Sequence, residues 1–591
     1  MSRPSGAPSS AGRRATRSSS APPAATRPIP SSRSAESARP ALRPAFHEGS
    51  RSMYWADELA AAASGPQVVN DSKTPSGTVH VGSLRGVVLH DAIYRAFRAR
   101  GLEAQFRYGI EDLDPMDNQA LLSGDAVERF MGVPLAHVPA PAGSSAPSYA
   151  RHFADLFLAT FAGLGIRPEV YWMSEQYGSG AMDPFIARAL DQAAAIRRIY
   201  RTVSTVDHPA TWLPVSVICE TCGRSGTTLA SDWDGREVSY ACLPRLVTWA
   251  TGCGASGRTS PFGGRAKLVW NVDWAARWSL VGATIEGCGK DLATKGGSRD
   301  RADAISRQVF EREPPTNVPY EFLTIGGRKM STSQGSGAAA HEIAALLPPE
   351  LLRFLFLRHK PRRALEFDPQ GDTVPGLFDE FDRVAAATAG REVRGELPPD
   401  ADRIFAASLD DPAADPAVEA GRFRPPFRHL TLLVQVPGVD LASRMEAEKG
   451  APLDGPEAAA AERRVTVARR WLADAAPERY KVDVQPELPR EVVRLADEQR
   501  LFLEALALAA ERERPASGDA WQDLIFRTSQ AGGLSSGAAF GALYVSFLDR
   551  TNGPRAGWLL ASLDPTFVVA RLRDAAGAIG QPGPGPEEAA S

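Results

Sequence analysis

The sequence predicts an α/β protein in which a parallel sheet is interrupted by a short-stranded, cysteine-bearing insertion and followed by an all-α region. Three patterns carry this expectation. Strand, glycine-containing loop and helix alternate between residues 67 and 110, and four cysteines crowd between Cys219 and Cys253. Strand-like runs largely end at Glu366, leaving helix-compatible segments to about Arg573. At 591 residues the chain exceeds one ordinary core, so several folding units are expected.

Gln67-Val68-Val69-Asn70 reads as a buried strand before the turn cluster Thr74-Pro75-Ser76-Gly77. Leu89, Ile93 and Phe97 then recur at helical spacing up to Arg100-Gly101, where glycine caps the helix. Ala104 to Ile110 is the next strand and ends in the acidic loop Glu111–Pro115. Residues 148 to 203 read as helical, with an aromatic stripe at Phe153, Phe157 and Phe161. The cysteine segment follows, and the α/β pattern is expected to resume as a tryptophan-rich strand from Ala266. Tyr320 to Ile325 reads as a strand leading into the Gly326-Gly327 loop.

These signals divide the chain into a disordered Ser/Arg/Pro-rich tail (1–50), a first half of the sheet domain (51–205), a cysteine-containing insertion (206–265), a second half (266–365), a helical domain (366–575) and a terminal tail (576–591). Hydrophobic residues at 43% and charged residues at 23% suit a globular chain able to bury cores. A net charge of −3 excludes a global basic field, so any nucleic acid would have to meet a local basic patch. The N-terminal tail has no apolar core of a secretory signal, and the apolar stretch from Gly532 to Leu548 falls short of the ~20 residues that span a bilayer. Five cysteines, four of them clustered, point to a metal site in a reducing compartment, here the cytoplasm.

Two loops carry candidate chemistry. Pro75 to Ser83, which includes Gly77, lies between the carboxyl end of a strand and the N-terminus of a helix, where amides favour anions; Gly82 would let a nucleotide approach, and His80 could donate to a phosphate. Gly326 to Ser333 presents Lys329 and the hydroxyls of Ser331, Thr332 and Ser333 beside Met330, a set suited to a triphosphate. Either loop alone could be an ordinary surface turn.

Together they resemble the HIGH and KMSKS signatures of class I aminoacyl-tRNA synthetases, and the resemblance narrows to the class I lysyl-tRNA synthetases. Residues 112–115, 148–153, 211–223, 267–278, 289–291, 296–298 and 553–557 extend it from about Tyr54 to Arg573. It implies a Rossmann-like catalytic domain and a helical tRNA anticodon-binding domain. It also implies that the lysine carboxylate attacks the α-phosphate of Mg2+-bound ATP, and that the adenylate passes to the terminal 2′-hydroxyl of a lysine-accepting tRNA. In that scheme His80 and Lys329 serve the phosphates, with Ser83 and the second loop nearby, and Asp291 serves the ribose. A lysine side chain needs a carboxylate and an aromatic wall, for which Asp112, Asp273 and Trp274 are the candidates. Cys219, Cys222, Cys242 and Cys253 are expected to hold a structural Zn2+, although ten residues separate the last pair instead of two. The basic run Arg358, Lys360, Arg362 and Arg363 is either a solvated helix end or a contact for tRNA phosphates.

The chain departs from the family at Ser83, where relatives commonly carry Asn or His, and at Leu292, where they carry His. Cys288 replaces a bulkier residue, and Thr332 takes the place of the second lysine of the general class signature. These departures leave two alternatives open: an adenylate-forming paralogue with a non-tRNA acceptor, or an inactive RNA-binding homologue.

Overall fold

The computed structural model describes residues 53–117, 124–326, 338–436 and 439–578, and the backbone of 328–329. Both tails and Met330, Ser331, Thr332 and Ser333 lie outside the described residues. Strands β1 (Gln67–Lys73), β2 (Ala104–Ile110) and β3 (Glu169–Trp172) pair in parallel, with β2 in the middle. Val69, Phe106, Tyr108 and Ile110 are buried in them, as two-sided coverage of a parallel sheet requires.

On the free edge of β1 the sheet continues through two extended segments. Val69 bridges Ile285 and Ile285 bridges Thr316, both in parallel. The Asn70 amide donates to the Ile285 carbonyl, and the Glu286 amide to that of Thr316. The spatial order is therefore third, second, first, fourth, fifth, the order of a nucleotide-binding doubly wound sheet. Its switch point, where such sheets bind ligands, lies between the carboxyl ends of β1 and the Ile285 segment.

Helix Gly82–Ala99 follows β1 and buries Leu89, Ile93 and Phe97. Its Asp91 is ion-paired at 2.7 Å with Arg353 on helix Pro349–Leu357, whose apolar residues join the same core. Sheet and first C-terminal helices thus share one core.

The insertion contains β4 (Val215–Val217), β5 (Thr228–Ser231), β6 (Val238–Cys242), β7 (Ser256–Thr259) and β8 (Ala266–Leu268). β5, β6 and β7 form an antiparallel sheet, and β8 pairs antiparallel with β4. This corrects two expectations. The run from Ala266 closes the neck of the insertion instead of rejoining the main sheet. The tryptophans lie on a helix, Trp270–Val281, on which Trp270 stacks on Trp274 and Trp278 packs tilted against Trp274. Their four-residue spacing is the helical period, which β-branched neighbours obscured. β3 likewise interrupts a stretch expected to be wholly helical.

β9 (Leu323–Ile325) pairs with β10 (Arg328–Lys329) and with β11 (Leu365–Phe367). Beyond β11 the chain is helical. Helices Asp497–Glu513, Gly518–Ala531, Ser536–Leu548 and Pro565–Gly577 build a core of their own. Among the described residues no single helix is long and apolar enough to cross a membrane.

Candidate active site

The loop from Thr74 to Val81 leaves β1 at the switch point. Gly77 has φ 152°, which side-chain-bearing residues rarely adopt. The Tyr149 hydroxyl donates to the Ser76 carbonyl at 3.2 Å and Thr74 donates to Asp114 at 2.6 Å, which fixes both flanks of the turn. Half-buried His80 follows, and Gly82 and Ser83 open the helix, whose N-terminal amides favour negative charge.

The second loop returns to the first. β10 ends at Lys329, whose backbone faces Thr324 of β9. On the far side of the loop, His80 and Ala339 form an antiparallel bridge. The Val81 amide donates to the Ala338 carbonyl at 3.0 Å, and the Ala340 amide to that of Val79 at 2.8 Å. The segment that leaves Ser333 is thereby stitched to the backbone around His80. The Lys329 side chain lies outside the described residues.

A residue the sequence did not single out adds a second tie. Arg85, fully buried, has no carboxylate partner among the described residues; its guanidinium donates to the carbonyls of Glu321, Phe322, Pro361 and Arg363 at 2.6–3.1 Å. One side chain on the first signature's helix thus fixes both segments that flank β9 and β11. The only signal was its place two residues beyond Ser83, on the predicted buried face.

The third wall is the segment that continues from Ile285. The Gly287 amide donates to His90 Nε2 at 2.8 Å, which leaves His90 Nδ1 to donate to the Gly86 carbonyl at 2.7 Å. Gly289 and Asp291 follow at the carboxyl end. Leu292 turns into the second core, its amide donating to the Gly289 carbonyl and its own carbonyl accepting from the Arg299 amide. Cys288 is buried beside Asn317. Asp71 and Lys73, at the end of β1, face this wall: burial pushes Asp71 up from 3.8 to about 6, against the pull of His90. Burial also lowers the Lys73 ammonium, while Asp71 and Asp291 act to raise it. Gly86 permits this packing, because a Cβ there would lie 2.7 Å from the Tyr320 hydroxyl and 3.1 Å from Asp71 Oδ2.

Asp112, Asp273 and Trp274 lie in the interior. Asp112 accepts from the Ser174 amide at 2.7 Å and from its hydroxyl. Asp273 is 0% exposed, accepts from the Tyr177 hydroxyl, and sits 3.6 Å from the Lys267 ammonium, which also pairs with Asp114 at 3.0 Å. Burial opposes the charge on Lys267, yet these two carboxylates hold it above its ordinary range. Burial raises Asp273 despite the neighbouring ammonium. Trp274 donates to Glu286 at 2.6 Å, as Trp278 does at 3.0 Å. Asp273, expected as a partner for a substrate ammonium, is thus placed in the interior beside Lys267 and Tyr177.

The four insertion cysteines converge, with Sγ atoms all within 4.8 Å. Cys219 and Cys253 are 3.7 Å apart, as are Cys222 and Cys242. Tetrahedral zinc with ~2.3 Å bonds to sulfur places thiolates ~3.8 Å apart, so the set fits the ion. The long gap between Cys242 and Cys253 is a loop whose ends re-pair: Cys242 donates its amide to the Ala255 carbonyl and Gly254 donates to that of Cys242. Nearby, Arg224 donates to the Met131 carbonyl and the Ser225 amide to that of Gly132, joining the cysteine knuckle to the segment after Asp114.

In the basic run, Arg358 is paired with Glu380 at 2.9 Å, and Lys360, Arg362 and Arg363 follow it.

Residues 53–406 match the family described as tRNA synthetases class I (K). The chain is 32% identical over 545 residues to a lysine–tRNA ligase of Methanosarcina barkeri, covering 88% of this chain and 98% of that protein. It is 33% identical over 530 residues to a lysine–tRNA ligase of Archaeoglobus fulgidus, covering 88% and 100%. A solved glutamate tRNA ligase from Elizabethkingia meningosepticum aligns at 11% identity and TM-score 0.40, covering 87% of this chain and 100% of that one.

Proposed function

From the premise that this chain belongs to the class I lysyl-tRNA synthetase family, we propose that it ligates lysine to lysine-accepting tRNA at the expense of ATP. The observation that carries the reading is the antiparallel pairing of His80 with Ala339 at the switch point of a nucleotide-binding sheet.

The protein's contribution is placement and neutralisation of charge. ATP lies over Gly77 and Gly82, with its phosphates toward the helix N-terminus at Ser83. His80 donates to the phosphate oxygens as charge grows on them. Lys329, with Met330, Ser331, Thr332 and Ser333 of the same signature, serves the β- and γ-phosphates, for which Mg2+ would be the counter-ion. Asp291 takes the ribose hydroxyls. The lysine carboxylate attacks the α-phosphorus in line, pyrophosphate departs, and the tRNA's terminal 2′-hydroxyl displaces AMP from the adenylate.

Asp112, Asp273 and Trp274 shape the lysine pocket from behind. Lys267 pairs with both Asp114 and Asp273, and Asp114 is the partly exposed one of the two carboxylates. With no donor at Leu292, the ribose depends more heavily on Asp291. The four cysteines would hold a structural Zn2+, which would supply a crosslink within the insertion. Lys360, Arg362 and Arg363 meet tRNA phosphates, and the cytoplasm is the compartment that supplies reduced thiols and tRNA.

The test is amino-acid-dependent pyrophosphate exchange across the twenty amino acids, with and without tRNA. Exchange confined to lysine supports the reading; exchange selective for another amino acid overturns it.

A further inference from the structure

Strand β1 turns its two faces to different neighbours. On one face Asn70 donates to Glu286 at 2.6 Å and Thr74 to Asp114 at 2.6 Å, the side on which Trp274 also meets Glu286. On the other, Asp71 lies 3.5 Å from His90 Nδ1 and would stand 3.1 Å from a Cβ at Gly86, so this face meets helix Gly82–Ala99. Side chains alternate along a strand, which puts Lys73 on the face of Asp71.

The helix returns antiparallel to β1, as the parallel pairing of β1 with β2 requires. Two strand residues advance roughly 6.6 Å and one helical turn about 5.4 Å. Where Asp71 is level with Gly86, Lys73 is therefore level with the first turn, Gly82 and Ser83. That is the end of the helix at which backbone amides favour an anion.

Lys73 is half-buried, and its ammonium has no ion pair or hydrogen bond among the described residues. Asp71 and Asp291 lie within electrostatic reach of it, and burial works against its charge. Its backbone is fixed on both sides, through the strand pairing with Ile110 and through the Glu111 amide, which donates to the Lys73 carbonyl at 3.0 Å. A cation drawn partly out of water without a partner is costly to keep unless a ligand brings the counter-charge.

We propose that Lys73 is a further catalytic residue, whose ammonium contacts a non-bridging oxygen of the ATP α-phosphate. As the lysine carboxylate bonds to the α-phosphorus and the bond to pyrophosphate breaks, the ammonium neutralises charge on that oxygen. It stays protonated and forms no covalent bond. The assignment deepens the ligase reading above and rests on it: β1 separates the nucleotide, on the Asp71 and Lys73 face, from the amino acid, on the Asn70 and Thr74 face.

The test compares full-length Lys73→Met and Lys73→Arg with wild type. In lysine-dependent pyrophosphate exchange, Lys73→Met should lower kcat about 10²-fold, as for loss of one transition-state donor, and leave the KM for lysine within about two-fold. Lys73→Arg should recover part of the loss. In calorimetric titrations wild type should prefer AMP to adenosine, and Lys73→Met should narrow that preference about ten-fold, the size of one charged hydrogen bond. Its Tm should equal or exceed that of wild type, because no ion pair is lost. A preference for AMP that is unchanged in Lys73→Met overturns the assignment. So does an effect confined to the KM for lysine, which would put the amino acid's carboxylate at Lys73. A lower Tm with AMP and adenosine weakened alike also overturns it, as the mark of a structural role. Wild type without lysine-dependent exchange overturns the ligase reading instead, and the comparison of AMP with adenosine then still decides Lys73.

Discussion

His80 and Ala339 are antiparallel backbone partners, and through them the loop after β1 and the segment leaving the second signature form one piece of structure. The segment that follows the second signature is thereby held at a fixed point beside the first.

Arg85 is the second tie. Replacing it by Met strands four carbonyls, one buried and three partly buried, and is expected to cost about 3 kcal/mol in urea unfolding. Arg85→Lys should recover little, because an ammonium cannot reach all four acceptors. Wild-type stability in Arg85→Met would contradict this.

Gly86 is required by Tyr320 and Asp71. Gly86→Ala should destabilise the protein by about 1–3 kcal/mol through overpacking. Tyr320→Phe in the same chain should return part of that loss, because it removes the atom closest to the new methyl group. Additive losses in the double variant would place the clash elsewhere.

The site's tertiary ties were harder to read from the sequence than its loops. Val69, Leu89, Ile93, Phe97 and the strand Ala104–Ile110 follow period and turn chemistry, so the first strand–loop–helix–strand unit was legible. The fourth and fifth members of the sheet were not, because the segments at Ile285 and Thr316 contribute only isolated bridges and carry no alternating pattern. The cysteine quartet was legible as a set, since thiol clusters are rare; its geometry depended on a loop re-pairing that no spacing rule describes. The Lys267 partner of Asp273 was not legible, because it lies six residues upstream on a strand whose pairing was not foreseen.

Asp71 carries a pH signature. Its carboxyl titrates near 6 when folded against 3.8 ordinarily, chiefly through burial. Between those values the folded chain binds more protons than the unfolded one, so stability falls as pH rises through about 4 to 6 and then levels. Asp71→Asn should therefore match wild type near pH 4 and exceed it by about 3 kcal/mol above pH 6. A pH-independent difference between the two would contradict the assignment.

The cysteine cluster should carry one zinc per chain by atomic emission. Stripping it with a strong chelator, or the double substitution Cys219→Ser with Cys222→Ser, is expected to lower Tm. It should also weaken lysine activation, because Arg224 and Ser225 tie the knuckle to the segment following Asp114. Metal-free protein with unchanged Tm would contradict the zinc reading.

The central claim is tested most directly by charging purified lysine tRNA with radiolabelled lysine, using wild type and Lys329→Ala side by side. The account predicts lysyl-tRNA from wild type and a rate lowered by about 10²–10³ in the variant, as for loss of one transition-state donor. No charging by wild type, or equal charging by both, would contradict it.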